Sequence, residues 1–198
     1  MKMKLLVTRH GETEWNRKNL ILGRTDIPLN DTGIMQAKKL RDKLTYPIDY
    51  IISSPLKRTA MTAKIIAENR TAEILYDDRL IEMDFGIFEG TDRGAEAYQR
   101  EKRNFFARYP QGESFLQTAQ RVYNFLDEII EKYSDKKVLI VTHNGICRLI
   151  RSYFCDMGNE EFAVYSLGNC EIEEYDIGTA TVKATVNNVT YTCKVKVK

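Results

Sequence analysis

Apolar positions along the chain fall into two rhythms, and the switching between them predicts the fold. Lys4 to Thr8 is a short, nearly continuous apolar run, as expected of a strand buried on both faces. Ile34, Ala37, Leu40 and Leu44 then recur at helical spacing behind Asn30-Asp31-Thr32, whose side chains suit a helix N-terminus. Asp49 to Ser53 reads as a second strand. Ser54-Pro55 follows as a helix start, with Met61, Ile65 and Ile66 as the apolar face of that helix. Ile74 to Tyr76 is a weaker strand. Residues 84 to 112 are irregular and rich in aromatic side chains, and are expected to form a small cap. Glu113 to Tyr133 carries the clearest helical stripe: Phe115, Ala119, Val122, Leu126, Ile129 and Tyr133. Lys137 to Thr142 is another buried strand, and a helix is expected to follow through Phe154.

The last part of the chain changes rhythm. Glu171 to Ile177, Ala180 to Val186 and Val189 to Val197 read as strands, the last two joined at Asn187-Asn188. Val195 and Val197 alternate with Lys194, Lys196 and Lys198, as on an exposed edge. This tail, residues 171 to 198, is expected to extend the sheet or to pair two copies as a homodimer. Strands alternating with amphipathic helices over the rest predict a single α/β domain, 1 to 198, with a mainly parallel sheet between two helical layers. Ligands of such sheets bind past the carboxyl ends of the strands.

Composition narrows the chemistry. With 30 basic and 28 acidic residues, the net charge of +2 gives no global attraction to nucleic acid or membrane. Neither is expected as a partner, and the chain is expected to be cytoplasmic, since it has no long apolar segment. Cys147, Cys155, Cys170 and Cys193 have no metal-binding spacing and read as free thiols.

Only two histidines occur, and each falls at the end of an apolar strand: His10 in Thr8-Arg9-His10-Gly11 and His143 in Thr142-His143-Asn144-Gly145. Arg9, Arg58 beyond Ser53-Ser54, and both histidines should therefore converge on one crevice. Guanidinium forks match phosphate oxygens. A neutral imidazole attacks phosphorus, and Gly11 would allow close approach of the backbone. His143 is placed to donate to the transferring group. Glu82, flanked by Ile81 and Met83, suits a proton donor held protonated by apolar neighbours, although a capping or salt-bridged glutamate fits the local sequence as well. Two histidines with scattered carboxylates make no recognisable metal set, and no metal or cofactor is expected. A Rossmann-type nucleotide site is not indicated, because no G-x-G-x-x-G follows the first strand.

Taken in order, these segments resemble the histidine phosphatase superfamily, the group that includes the cofactor-dependent phosphoglycerate mutases. The resemblance rests on Arg9-His10-Gly11-Glu12-Thr13 with Asn16, Gly23-Arg24-Thr25-Asp26-Ile27-Pro28-Leu29, and Ser53-Ser54-Pro55 with Arg58. It continues through Leu80, Glu82, Gly86 and Phe88-Glu89-Gly90, then Gly112-Glu113-Ser114 with Arg121, and Val141-Thr142-His143, covering roughly residues 3 to 150. It implies a three-layer α/β/α fold, His10 as nucleophile, Arg9, Arg58 and His143 as phosphate clamps, and Glu82 as general acid and then base. Asn16, Gly23 and the backbone beside His143, at Asn144, would line the phosphate pocket. Two departures stand out: Asn144 where many members have glycine, and Met83-Asp84-Phe85-Gly86 where mutases carry an Arg-His-Tyr-Gly-like run. That run and the short cap favour a phosphatase of small phosphorylated substrates. The alternatives are a phosphoglycerate mutase and a non-catalytic phospholigand-binding module on the same fold.

Overall fold

The computed structural model describes residues 3–178, 182–186 and 189–193. The Asn187-Asn188 turn, the expected strand start at Ala180 and the lysine-valine alternation from Lys194 to Lys198 lie outside the described residues, as does the side chain of Cys193.

Among the described residues seven strands form one sheet: β1 (Met3–Arg9), β2 (Tyr50–Ser53), β3 (Glu73–Tyr76), β4 (Lys137–Thr142), β5 (Ile172–Ile177), β6 (Val182–Val186) and β7 (Val189–Cys193). Their order is β3-β2-β4-β1-β5-β6-β7. The first four are mutually parallel, whereas β5 to β7 continue antiparallel from β1. The tail thus extends the sheet edge, and the parallel character stops at β1.

The pleat sorts the core. Met3, Leu5 and Val7 of β1 face one way with Val138 and Ile140, against Val122, Leu126 and Ile129 of α5 (Phe115–Lys132) and Ile146 and Ile150 of α6 (Asn144–Phe154). Leu6, Ile51, Leu139 and Val141 face the other way. There they meet Leu40 of α2 (Asp31–Lys43) and Ala63 and Ile66 of α3 (Lys57–Ala67). Burial on both faces explains why these strands read as apolar runs rather than as alternating ones. The result is the expected three-layer α/β/α fold.

This winding also makes the crevice. β1 and β4 are neighbours, yet the chain leaves β1 toward the α2–α3 layer and β4 toward the α5–α6 layer. Between two such strands the connections part, and a cleft opens at their carboxyl ends. Arg9 lies opposite Thr142, and Ser53 opposite Val141, so three strands end level. The ladder runs one step further, from His10 N–H to the Thr142 carbonyl at 3.0 Å and from Ser54 N–H to the Val141 carbonyl at 3.1 Å.

Three short helices fall outside the sequence reading: α1 (Glu14–Arg17), α4 (Glu96–Glu101) and α7 (Asn159–Val164). α3 also begins at Lys57 rather than at Ser54-Pro55. Ser54 is engaged elsewhere, because its hydroxyl bonds His143. Segment 84–112 packs on its own rings, with Phe85, Phe88, Tyr98 and Tyr109 at centroid distances of 5.3–6.0 Å. Among the described residues no helix is long and apolar enough to cross a membrane.

Candidate active site

His10 follows directly from β1 and is 3% exposed. Its Nδ1 lies 2.7 Å from the carbonyl oxygen of Gly11. A carbonyl only accepts, so Nδ1 carries the proton and the Nε2 lone pair is left for another partner. Burial, then the charges of Arg58 and Arg9, push the His10 pKa well below the usual histidine value. The ring is therefore neutral at ordinary pH, as a nucleophile must be. Gly11 serves a different contact from the one expected. A Cβ there would stand 2.4 Å from the Gly33 carbonyl, so its close approach is to the start of α2.

His143 ends β4, caps α6 and is fully buried. Its ring centroid lies 5.3 Å from that of His10. Arg58 Nε donates to Nδ1 at 3.2 Å, so the His143 proton sits on Nε2, which pairs with Ser54 Oγ at 2.9 Å. Both ring nitrogens are thus occupied. Arg58 is itself fully buried and also donates to the carbonyls of Thr25 at 2.9 Å and Gly23 at 2.6 Å. Burial brings its pKa down to about 10. Three of its five donors are used, and two remain.

Glu82 is placed by its backbone neighbours. Oε1 accepts from Met83 N–H at 2.9 Å and Oε2 from Gly145 N–H at 3.0 Å. The second bond comes from the first turn of α6, where the helix dipole favours an acidic group. The apolar residues beside Glu82 in sequence are therefore not its polar contacts; two amides are. A Cβ at Gly145 would lie 2.5 Å from Glu82 Oε1, so a larger residue there would push the carboxylate aside.

Arg9, His10, Glu82, Asn16 and Asn144 all line one cavity of about 210 Å³. Arg9 reaches Leu167 O with one terminal nitrogen at 3.2 Å, while its buried Nε has no partner. Asn16 Oδ1 is committed to Thr13, closing the cap of α1. The Asn144 Oδ1 accepts from Leu167 N–H at 2.9 Å and from Ser166 Oγ at 3.2 Å. It ties α6 to the loop that also reaches His10, through Asn169 Nδ2 to the His10 carbonyl at 2.7 Å. Arg58, His143 and Gly23 do not form the wall of this cavity. Arg58 bonds His143, whose ring stands beside that of His10, and Gly23 presents its carbonyl to Arg58.

Further residues complete the wall, among them Phe85 and Tyr98 of the aromatic region expected to shape the leaving-group site. Arg93, Lys102 and Arg148 bring cations from three different elements, and Tyr98, Phe85 and Phe115 bring rings. Glu89 holds the backbone of Arg24 and Thr25, and Glu113 joins Asp84 N–H, Arg24 and Arg121. Glu89, Glu113, Arg24 and Arg121 belong to motifs that carry the resemblance, whereas Arg93, Lys102 and Arg148 carry no local pattern and only the fold brings them together. Among the described residues no three His, Cys, Asp or Glu side chains come together to hold a metal ion.

The family model of the histidine phosphatase superfamily (branch 1) matches residues 5–190. Phosphoserine phosphatase 1 of Hydrogenobacter thermophilus is 31% identical over 183 residues, spanning 88% of this chain and 85% of that protein. The Probable phosphoglycerate mutase GpmB of Proteus mirabilis is 31% identical over 182 residues, with the same shares of 88% and 85%. The alpha-ribazole phosphatase of Shigella flexneri superposes with a TM-score of 0.82 at 28% identity, covering 94% of this chain and 96% of that one. The chemistry of this chain is that of a histidine-type phosphatase, a hydrolase that works through a phosphohistidine without a metal ion. Sequence order, fold and match together place the chain in the histidine phosphatase superfamily, branch 1.

Proposed function

We propose that this chain hydrolyses small phosphomonoesters by two successive in-line transfers at His10. One observation carries the assignment: the Nδ1 bond to Gly11 leaves Nε2 of a neutral, buried His10 free, in a cavity that also holds Arg9 and Glu82. Nε2 attacks phosphorus, forming the P–N bond as the ester P–O bond breaks. A protonated Glu82 gives its proton to the leaving oxygen. Each Glu82 oxygen has a second lone pair beside the one its amide uses, so a proton fits without loss of either bond. Water then attacks phosphorus, Glu82 takes a proton from it, and phosphate leaves as His10 is restored. Arg9, with an unpartnered Nε, stabilises charge on the equatorial oxygens. Arg58 holds His143 and lowers the His10 pKa by its charge. His143 reaches the phosphoryl group by exchanging its bond to Ser54.

The test is phosphate release from a panel of phosphomonoesters with a chelator present. Turnover should survive the chelator and fall at least about a thousandfold in His10→Ala. A wild type that releases no phosphate from any of them would sink this reading. Conversion of 3- to 2-phosphoglycerate primed by the bisphosphate would then favour the mutase. Phosphate affinity retained in His10→Ala, with no activity in either form, would favour a binding module.

A further inference from the structure

Residues 165–171 run between α7 and β5 as a strap beside the cavity, and Tyr165 and Ser166 line its wall. Different elements hold the two ends of this strap. The later end belongs to β1. Cys170 N–H donates to the Arg9 carbonyl at 3.0 Å, Asn169 Nδ2 to the His10 carbonyl at 2.7 Å, and Thr8 Oγ1 to the Glu171 carbonyl at 2.7 Å. The earlier end belongs to α6. Arg148 donates to the Tyr165 carbonyl at 2.9 Å, and Asn144 accepts from Ser166 Oγ and Leu167 N–H.

The Arg9 side chain is caught on the earlier end. It donates to the Leu167 carbonyl at 3.2 Å, its one side-chain hydrogen bond among the described residues. The residue is 9% exposed and its Nε has no partner. A fork with five donors and one protein acceptor takes its direction from that acceptor. Leu167 is itself 1% exposed, and its N–H goes to Asn144, so this bond fixes the residue on which Arg9 rests. An N–H only donates, so the atom of Asn144 facing it is the amide oxygen, with a lone pair for each of its two donors. Glycine supplies no such acceptor. Aspartate would accept both bonds but would set a negative charge in the wall beside a phosphate dianion. Asparagine is the short neutral acceptor that meets both needs.

We propose that Asn144 is a positioning residue, which through Leu167 aims the Arg9 fork at the phosphoryl group. The role is indirect, and it rests on the reading of Arg9 as a clamp on the equatorial oxygens. It gives a purpose to the asparagine that stands where many members of the family have glycine.

A double-mutant cycle tests it, with Asn144→Gly, Arg9→Met and the two combined, read by calorimetric titration with inorganic phosphate. Asn144→Gly keeps the backbone N–H beside His143 and removes only the side chain. With Arg9 present it should weaken phosphate binding at least about fivefold. In Arg9→Met the same change should cost less than about twofold, because no fork is left to aim. An equal loss in both backgrounds overturns the proposal, since Asn144 would then touch the anion itself or support the fold alone. No loss in either background, or a wild type that binds no phosphate, also overturns it. Asn144 is only half-buried, and Asn144→Ala repeats the cycle if glycine loosens α6. The kcat/KM for p-nitrophenyl phosphate should show the same non-additive pattern across the four proteins. A wild type that binds phosphate but hydrolyses no ester of the panel ends the phosphatase reading, and the titrations still decide the role of Asn144.

Discussion

At the scale of single residues, the site depends on contacts too close to admit another atom. Gly145 donates to Glu82 and leaves no room for a methyl group beside it. Alanine is the better helix former by about 1 kcal/mol, so Gly145→Ala should stabilise α6 if nothing else changed. It should instead displace Glu82. With alkyl phosphates, whose leaving oxygen needs a proton, kcat should fall on the order of a hundredfold. With p-nitrophenyl phosphate, whose leaving group needs none, the loss should be slight; an equal loss on both would deny Glu82 the role of acid. A second prediction concerns His10. Its pKa is held down by burial and then by Arg58, so the acid limb of kcat/KM should lie well below the ordinary histidine value of 6.5. Removing a neighbouring positive charge makes imidazolium less costly. Arg58→Gln should therefore move that limb to higher pH, and a limb that stays put would contradict the assignment.

At the scale of elements, capping decides where helices begin, and the sequence reading of α5 was two residues off for that reason. A helix from Glu113 was expected; α5 starts at Phe115 because Ser114 is its N-cap, paired with Gln117 in a capping box. Ser114→Ala should cost about 1 kcal/mol and lower Tm by roughly 2–4 °C by calorimetry. An unchanged Tm would show that Glu113 and its partners hold this end alone. The strands β1, β2 and β4 were legible because burial on both faces leaves an apolar run, and α2, α5 and α6 because each buries a stripe. α4 and α7, six residues each, carry too few turns to show a period. α3 hid its purpose: its buried side includes Arg58, Thr59 and Thr62, polar residues turned to the site, so its apolar face was only part of what it buries. The convergence of Arg9, His10, Arg58 and His143 was legible because they sit at or just past strand ends in recognisable motifs. Arg93, Lys102 and Arg148 were not, because only the folded chain brings them together.

At the scale of the whole molecule, the catalytic centre is also a load on the fold. His10 and His143 are both buried and neutral, and both have pKa values pushed well below 6.5, first by burial and next by Arg58. In the unfolded chain each would titrate near its ordinary value. Between the folded and unfolded values the unfolded state binds more protons, so stability rises with pH through that window. The contribution is fully present above about pH 6.5 and is lost as pH falls below it, by up to about 1.4 kcal/mol per pH unit for each histidine. Most carboxylates have finished titrating by pH 5.5, which leaves the interval from about 5.5 to 6.5 to the two histidines. Urea unfolding at several pH values should show a midpoint that climbs through this interval and levels off above it. In His10→Asn one of the two titrating groups is gone, and the slope should fall to about half. A wild-type midpoint flat across the interval would mean that the histidines take up protons in the folded state, and the neutral nucleophile would then have to be given up.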